Sequence, residues 1–353
     1  MTNKPKMIVI LGPTSSGKTS LSLKLAKRFN GEIISADSRQ IYRGMDIATG
    51  KVKADNDYCL SVAEGGVENS QNKKNNFSTR SKNNFFYGVI NGIPHYMIDI
   101  INPDEEFSVA EYKKTTIEIA NDIIRRGKTP FLVGGTGLYI KAVVDNFDIP
   151  RVLPNKELRE EFERALVESR ITNQESRILE KFYKELLKLD PGAENIVDKN
   201  NPRRIIRALE ICLVTGRAFS ELYNKGEQIF NSLQIGIDVS RDILYKRIDK
   251  RVDEMMKDGI IEETKSLIKK GYSASLPSMS GIGYKEIGEY LSEKLKVKNE
   301  KLEKDIIEKK IQEIKWRTHD YARRQMTWFK KDGRVRWVNG GKEAEKLVKK
   351  WLT

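Results

Sequence analysis

Residues 12–19 constrain the fold of this chain more than any other stretch. They are Gly-Pro-Thr-Ser-Ser-Gly-Lys-Thr, and they match the phosphate-loop pattern G-x-x-x-x-G-K-[ST] at every fixed position. The apolar run at residues 7–11 predicts a buried strand before the loop, and the leucine-rich stretch after it predicts a helix. Glycines let the backbone approach an anion, and the amides at the start of a helix point towards it. The pattern therefore predicts a bound di- or triphosphate without specifying ATP.

Each side chain of the loop is a candidate ligand contact. Lys18 adds a mobile positive charge, and the Thr19 hydroxyl is a candidate ligand for a divalent metal ion. The candidate phosphate-binding residues are Gly12, Pro13, Thr14, Ser15, Ser16, Gly17, Lys18 and Thr19.

Strands and helices alternate along the chain. Residues 32–36, 129–133 and 233–239 read as further strands, and Ser108 with Glu111 forms a capping box that predicts a helix. This alternation predicts an α/β fold, a doubly wound parallel sheet of the P-loop NTPase type. Ligands of such sheets bind beyond the carboxyl ends of the strands. Asp37 follows the second strand directly and should share a rim with the phosphate loop, either as a helix N-cap or as a functional carboxylate.

Changes in composition divide the chain into domains. Residues 1–149 form the first part of the predicted core. Within them, residues 55–91 are rich in Asn and poor in apolar side chains, which predicts an exposed, disordered insertion. Residues 150–225 are helical and charged in pattern, which predicts an inserted helical domain. Residues 226–353 return to the core and end in a basic helical region.

Charge and composition favour an anionic partner in a reducing compartment. The formal net charge is +14, and a balance of this size favours nucleic acid, although a lysine-rich genome would also produce it. The two cysteines, Cys59 and Cys212, give neither a disulfide framework nor zinc-site spacing. No apolar run approaches a membrane span, and the N-terminus lacks the features of a signal peptide. We therefore expect a cytoplasmic protein that does not bind membranes.

Two segments concentrate candidate RNA contacts. Residues 301–353 carry sixteen Lys or Arg against eight Asp or Glu, with aromatic residues interleaved. Aromatic rings can stack on unpaired bases while cations hold the backbone, but the same pattern fits an amphipathic helix with an aromatic core. Upstream, Arg203, Arg204 and Arg207 lie close together on a predicted helix, either as a phosphate-contacting edge or as a solvated face.

Seven stretches, taken together and in order, closely resemble the bacterial tRNA dimethylallyltransferases, also called tRNA isopentenyltransferases, of the IPP transferase family. They are residues 12–19, 37–47, 92–95, 132–139, 201–210, 281–286 and 321–329. Two departures stand out: the Asn-rich insertion, and Thr318-His319-Asp320, where the family more often has Thr-Arg before the tyrosine. The Cys/His zinc-finger tail of eukaryotic members is absent from this sequence.

The resemblance implies an activity. Dimethylallyl diphosphate, instead of ATP, would occupy the phosphate loop with Mg²⁺, and its dimethylallyl group would pass to the N6 amine of the adenosine 3′ of the anticodon in tRNA, releasing diphosphate. By the same resemblance, Asp37 is the general base. Lys18 and one of Arg247 and Arg251 stabilise the leaving group. The implied partner is the anticodon stem-loop, bound by a monomer.

The resemblance and the basic segments also indicate candidate tRNA contacts. They are Asp37, Ser38, Arg39, Gln40, Thr136, Arg159, Arg203, Arg204, Ile205, Ile206, Arg207, Ser280, Gly281, Ile282, Gly283, Tyr284, Lys285, Arg323 and Arg324.

Three other functions fit part of the sequence. A P-loop kinase of a small metabolite explains the loop but gives the basic tail no role. An isopentenyltransferase acting on free adenine nucleotides needs no such extended basic surface. A non-enzymatic tRNA-binding protein leaves Asp37 on the rim without a task.

Overall fold

The computed structural model describes residues 4–52, 54–61, 67–69, 84–147, 155–222, 226–295 and 299–353. The chain divides into two compact units, one comprising Met1–Val144 with Ile229–Thr353 and the other Asp145–Gln228. Among the described residues, no helix is both long and apolar enough to cross a membrane.

The larger unit is built on one sheet. Its strands are β1 (Lys6–Leu11), β2 (Gly31–Ala36), β3 (Asn56–Ser61), β4 (Val67–Asn69), β5 (Asn84–Ile90), β6 (Ile93–Tyr96), β7 (Thr129–Gly134), β8 (Asn231–Ile237) and β9 (Arg336–Val338). Their spatial order is β4-β3-β5-β6-β2-β7-β1-β8-β9. The pairs from β6 through to β9 are parallel, which confirms the predicted parallel sheet.

Helices follow or separate the strands. They are α1 (Lys18–Arg28), α2 (Val109–Arg125), α3 (Gly137–Val144), α4 (Lys156–Ile171), α5 (Glu175–Leu189), α6 (Pro202–Thr215), α7 (Phe219–Leu222), α8 (Arg241–Lys257), α9 (Ile260–Lys269), α10 (Tyr284–Lys294), α11 (Glu300–Lys330) and α12 (Gly341–Leu352). Short 3-10 helices lie at Pro191–Asn195 and Ser278–Ser280.

The central strand β1 is buried on both faces, because successive side chains of a strand point to opposite sides. Met7, Val9 and Leu11 pack in the cluster that includes the apolar faces of α2 and α3. Ile8 and Ile10 pack in the cluster that includes those of α1 and α12. Helices therefore cover both faces of the sheet, and the strand that leads into the phosphate loop lies at its centre.

The predicted disordered insertion at 55–91 is wrong where the structure describes it. β5 pairs antiparallel with β6, β3 with β5, and β4 with β3, so this segment extends the sheet beyond β6. Aromatic and β-branched residues such as Tyr87 and Val89 favour a strand, and Tyr87 is buried against Tyr96 with ring centroids 5.2 Å apart. Residues 62–66 and 70–83 of the predicted insertion lie outside the described residues.

The unit Asp145–Gln228 is helical throughout its described part and contains α4 to α7. Its core includes Phe162 and Phe182, which meet edge-on with ring centroids 4.8 Å apart. α6 begins as the sequence predicts: the Asn201 side chain accepts from the Arg204 N–H at 3.2 Å, and Pro202 occupies the first turn. The predicted helical domain at 150–225 falls inside this unit, which extends a few residues further at each end.

Candidate active site

The phosphate loop, between β1 and α1, has a backbone suited to an anion. Gly12 and Gly17 have φ angles of 155° and 95°, and Ser15, with φ 59°, also takes the left-handed conformation that non-glycine residues rarely adopt. The Ser15 and Ser16 hydroxyls are buried and have no hydrogen-bond partner among the described residues. Because buried polar groups are normally paired, these hydroxyls are suited to a ligand rich in oxygen acceptors.

Lys18 lies at the phosphate loop, and its pKa depends on the charges around it. Its Nζ donates to the Pro13 carbonyl at 2.7 Å. Burial lowers the pKa of Lys18 to about 8; the negative charge of Asp37 opposes the shift, and the positive charge of Arg251 adds to it. A polyanion bound in the loop would favour the charged lysine.

Arg251, on α8, is the arginine that reaches the phosphate loop. Its Nη1 donates to Thr14 Oγ1 at 3.2 Å. A Cβ on Gly50, which has a φ of +61°, would lie 2.0 Å from Arg251 Nη2, so the guanidinium fills the space that a side chain would need. Burial lowers the pKa of Arg251, and the charges of Asp37 and Glu254 partly oppose this. Arg247, one turn earlier on α8, is exposed.

Asp37 lies just beyond the end of β2, on the predicted rim. Its Oδ1 accepts from the Arg39 N–H at 2.9 Å within a turn, and since no helix begins between β2 and β3 in the described part of the chain, the predicted role as a helix N-cap is wrong. This bond leaves Oδ2 for a second hydrogen bond. The carboxylate also lines a cleft with Lys18 and Thr19, so the turn contact is compatible with a functional role.

The cleft is lined by both charged and apolar side chains and spans about 500 Å³, a volume that includes open solvent. Its charged and polar lining includes Lys18, Thr19 and Asp37. The apolar lining consists of Ile33, Val52, Ile90, Ile98 and Val133.

His95 belongs to the stretch 92–95 that resembles the family but was not among the candidate site residues, and it also lines the cleft. Its Nδ1 lies 2.9 Å from the Ile93 carbonyl, so Nδ1 carries the proton, and the buried Nε2 has no partner among the described residues. Burial lowers the pKa of His95, although the bond to Ile93 opposes the shift, and the ring is neutral at pH 7.

The loop that follows β7 completes the rim. The Thr136 N–H donates to the Ala36 carbonyl at 3.0 Å, and Thr136 Oγ1 accepts from the Ser38 N–H at 3.0 Å. These bonds fix the loops after β2 and β7 to each other. Arg39 extends the connection, since its Nη1 donates to the carbonyls of Pro277 at 2.6 Å and Ser278 at 3.1 Å.

One face of α11 lies against this rim. Tyr321, Gln325 and Trp328 are spaced by four and three residues and therefore share a face. Burial, with the charge of Asp37 next, raises the pKa of Tyr321 to about 12, while Arg39 and a hydrogen bond with Thr136 oppose the rise. Arg323 and Arg324 lie on the exposed side of the helix. Trp316 is also exposed, while Phe329 belongs to the core, so the aromatic residues of this helix divide between the two predicted roles.

In the helical unit, two of the candidate tRNA arginines converge on Glu210, which is fully buried. Arg159 donates to both Glu210 oxygens at 2.9 Å, and Arg207 makes a further ion pair with Oε2. Burial alone would raise the pKa of Glu210, but hydrogen bonds from Arg159, Arg207 and the Asn155 N–H reverse this and lower it. Arg203 is exposed and Arg204 is partly exposed.

Three of the candidate contacts need correction. Ile205 and Ile206 are 0% and 6% exposed in the core of the helical unit, because they face away from the arginine stripe of α6. Tyr284 is 1% exposed, and its hydroxyl donates to Glu263. These side chains pack the interior and offer no surface to RNA. In the same segment Lys285 is exposed, while Gly281 and Gly283 are buried.

These features define a class of protein. A parallel sheet in which an interior strand leads into a phosphate loop, with a carboxylate and two partly buried cations at the same rim, is an α/β protein built to bind a phosphorylated ligand.

Comparison with known proteins gives the family. The model of the IPP transferase family matches residues 89–332, and that of the isopentenyl transferases matches residues 5–60. The chain therefore belongs to the IPP transferase family.

Similar proteins match over most of their length. The tRNA dimethylallyltransferase of Halothermothrix orenii is 41% identical over 338 residues, which cover 94% of this chain and 87% of that one. The enzyme of the same name from Halalkalibacterium halodurans is 36% identical over 339 residues, covering 95% and 91%.

Two solved structures are also similar. The full-length tRNA isopentenylpyrophosphate transferase of Bacillus halodurans gives a TM-score of 0.62 at 34% identity, covering 99% of this chain and 96% of that one. A eukaryotic dimethylallyltransferase, described as acting on tRNA, gives 0.64 at 26% identity, covering 95% and 74%.

Proposed function

We propose that this protein transfers the dimethylallyl group of dimethylallyl diphosphate to the N6 amine of the adenosine 3′ of the anticodon in tRNA, releasing diphosphate. The observation that carries the proposal is the cleft that brings Lys18, Thr19 and Asp37 together with apolar side chains. Its phosphate loop fits a diphosphate, and its apolar lining beside Asp37 fits a short hydrocarbon chain. The names of the similar proteins give the same donor group and the same acceptor.

The reaction assigns a task to each charged group. The amine nitrogen forms a bond to C1 of the dimethylallyl group while the bond from C1 to the diphosphate oxygen breaks. The diphosphate leaves with the electron pair, and the amine proton passes to Asp37. Lys18 and Arg251 meet the negative charge that develops on the leaving group, and electrostatic stabilisation of this kind usually contributes more to catalysis than any other effect.

Mg²⁺ is part of the proposal, and the residues present fit it. Mg²⁺ commonly binds through one or two protein oxygens together with substrate phosphates and water. The Thr19 hydroxyl lies in the cleft beside Lys18 and would be its protein ligand. When bound, the ion would neutralise charge on the leaving diphosphate.

The tRNA would be held by cations outside the cleft. The proposed contacts are the exposed Arg203, Arg323, Arg324 and Lys285, with residues 37–40 and Thr136 at the rim. Residues 150–225 would form the domain that supports the anticodon stem-loop. We propose that the protein acts as a monomer in the cytoplasm, where tRNA is modified.

The proposal is tested with purified protein, Mg²⁺ and dimethylallyl diphosphate labelled in the alkyl chain. Parallel reactions receive tRNA, AMP or ATP as acceptor. We expect label in tRNA alone, at one adenosine next to the anticodon, and no transfer without Mg²⁺.

Other outcomes select another function. Label in AMP or ATP would identify an isopentenyltransferase of free nucleotides. Binding of tRNA without transfer would leave a non-enzymatic binding protein. Transfer of phosphate from ATP to a metabolite, with no prenyl transfer, would identify a kinase.

A further inference from the structure

Gln325 connects the basic helix α11 to the phosphate loop. The side chain is 7% exposed, and both ends of its amide are used. Oε1 accepts from the Thr14 N–H at 2.9 Å, and Nε2 donates to the Gly135 carbonyl at 2.8 Å. One side chain thus links the loop after β1 to the loop after β7.

The approach of α11 to these loops depends on two glycines. A Cβ at Gly135 would lie 2.4 Å from Gln325 Nε2, and a Cβ at Gly137 would lie 2.3 Å from the Trp328 ring. A larger residue at Gly135 would displace the Gln325 amide, and one at Gly137 would displace the Trp328 ring. The close contact between Gln325 and the two loops therefore depends on the glycines of the loop after β7 as well as on the glutamine side chain.

The contact with Thr14 leads on to Arg251. Thr14 is the third residue of the phosphate loop, and its hydroxyl accepts from Arg251 Nη1 at 3.2 Å. Gln325 holds the backbone of Thr14, and the side chain of Thr14 holds the guanidinium. A shift of the Thr14 backbone would move both the loop amides and the partner of Arg251.

We propose that Gln325 is a positioning residue for the donor diphosphate, holding the phosphate loop and Arg251 in the arrangement that binds it. The identity of the donor rests on the proposed function; the positioning role concerns the diphosphate alone. Glutamine suits the place because its amide accepts and donates at once. An ionised glutamate has no proton to offer the Gly135 carbonyl.

The test measures the affinity of the protein for inorganic diphosphate with Mg²⁺, by calorimetry and without tRNA. Gln325→Met keeps the volume and flexibility of the side chain and removes both hydrogen bonds. We expect it to weaken diphosphate binding on the order of tenfold, as the net loss of one or two hydrogen bonds would. Gln325→Glu should weaken it further, because a carboxylate would face the Gly135 carbonyl and add negative charge beside the ligand.

The matched control is Gln312→Met, which changes an exposed glutamine on the same helix. It should leave the affinity for diphosphate unchanged. In Gln325→Met the Kd for tRNA should also stay within twofold of wild type, while KM for dimethylallyl diphosphate rises with the Kd for diphosphate.

Two results would overturn the positioning role. The first is a Gln325→Met variant that binds diphosphate like wild type, even with a lower Tm, since Gln325 would then contribute packing alone. The second needs no variant: the Thr14 amide of the free wild-type protein should exchange its hydrogen slowly with solvent, and fast exchange would show that Gln325 does not hold it. If wild type binds diphosphate but transfers no prenyl group, the proposed function fails while this comparison still decides the role of Gln325.

Discussion

Lys18 shows how a single, partly buried residue can prepare the phosphate loop for an anion. Its ammonium group has one backbone carbonyl as a partner at 2.7 Å and lies near the positive charge of Arg251. Desolvation and the charge of Arg251 disfavour the charged form, the charge of Asp37 favours it, and a bound polyanion would favour it further. The cost of burying Lys18 is offset when a polyanion binds.

This leads to a prediction for pH. Because the pKa of Lys18 in the free protein is about 8, the side chain is charged below that pH and becomes neutral above it. The affinity for diphosphate should therefore change little with pH near pH 7, where Lys18 is charged. Above pH 8 it should weaken by up to about tenfold for each pH unit. Calorimetry from pH 7 to 9.5 measures this. Lys18→Arg serves as the control, because arginine stays charged and the protonation of the ligand is common to both proteins. Parallel curves for the two proteins would contradict the assignment.

Asp37 is predicted to act in the chemical step. Asp37→Asn keeps an oxygen that can accept from the Arg39 N–H but cannot take the amine proton. We expect kcat to fall by about 10²–10⁴-fold, the usual contribution of a positioned acid or base, while KM for the donor changes little. Asp37→Ala removes the contact with the backbone as well, so its kcat should fall at least as far. Near-normal turnover in both variants would show that another group takes the proton.

The two arginines of α8 make a matched pair. Arg251 contacts Thr14 and Arg247 is exposed, so Arg251→Ala should lower kcat/KM for the donor by about 10²–10³-fold, as the loss of a preorganised charge does. Arg247→Ala should leave that value within twofold. Steady-state kinetics with the donor varied at saturating tRNA separates them, and equal losses in both variants would mean that Arg251 has no special place at the leaving group.

Sequence reasoning found the residues that belong to continuous patterns. The phosphate loop is a motif, and Asp37 follows from the rule that ligands lie beyond strand ends. The approach of Arg251, rather than Arg247, to the phosphate loop and the places of Gln325 and His95 could not be predicted, because they depend on which distant segments touch. Gln325 meets Thr14 across 311 positions of the chain, and no local pattern records such a contact.

At the scale of elements, the prediction of disorder at the edge of the sheet was wrong for a local reason. Six Asn between residues 69 and 84 dominate the composition of the insertion and hide the strand signal on either side. β5 is nonetheless anchored by four register pairs to β6, and Ile90 is 3% exposed. Pairing with an existing edge gives these strands backbone partners, which composition does not reveal. By contrast, the capping box of α2 was predicted correctly, because Ser108 and Glu111 contact each other within one turn.

The strands and the Asn-rich residues should respond differently to deletion. Removing residues 60–88 takes away most of β5, exposes the backbone edge of β6 and should cause loss of soluble protein. Removing residues 70–83 alone spares every described strand, and on composition we expect soluble yield, Tm and prenyl transfer close to wild type. Equal loss of soluble protein in both deletions would show that the Asn-rich residues contribute to the fold.

At the scale of the whole molecule, the arginines that contribute to the net charge of +14 differ in how far their charge is already paired. Arg159 and Arg207 share the buried Glu210, so part of their charge is balanced inside the helical unit. Arg323 also has a surface partner, Asp320, at 2.9 Å, but exposed pairs of this kind contribute little and exchange easily.

The salt dependence of tRNA binding measures which cations contact phosphate. Arg203→Ala, Arg323→Ala and Arg324→Ala should each weaken binding and reduce the log–log salt slope by about one unit, or somewhat less on single strands. Arg28→Ala, at an exposed pair with Glu345, is the control and should leave the slope unchanged. Arg159→Ala should in addition lower the Tm, because it leaves the buried Glu210 carboxylate with one partner fewer. A uniform response of all five variants would point to a diffuse basic surface without defined contacts.

The position of β1 has a consequence for how the protein is made. β1 lies between β7 and β8, and Lys6 pairs with Asn231 in the register of the sheet. A ribosome must therefore add the entire helical unit before the first strand has both neighbours. Until then β1, the strand that leads into the phosphate loop, lacks one of its two neighbouring strands. Contacts between segments this distant in sequence form slowly. Translation of β8, rather than emergence of the motif, should therefore mark the point at which the strand before the phosphate loop is held on both sides.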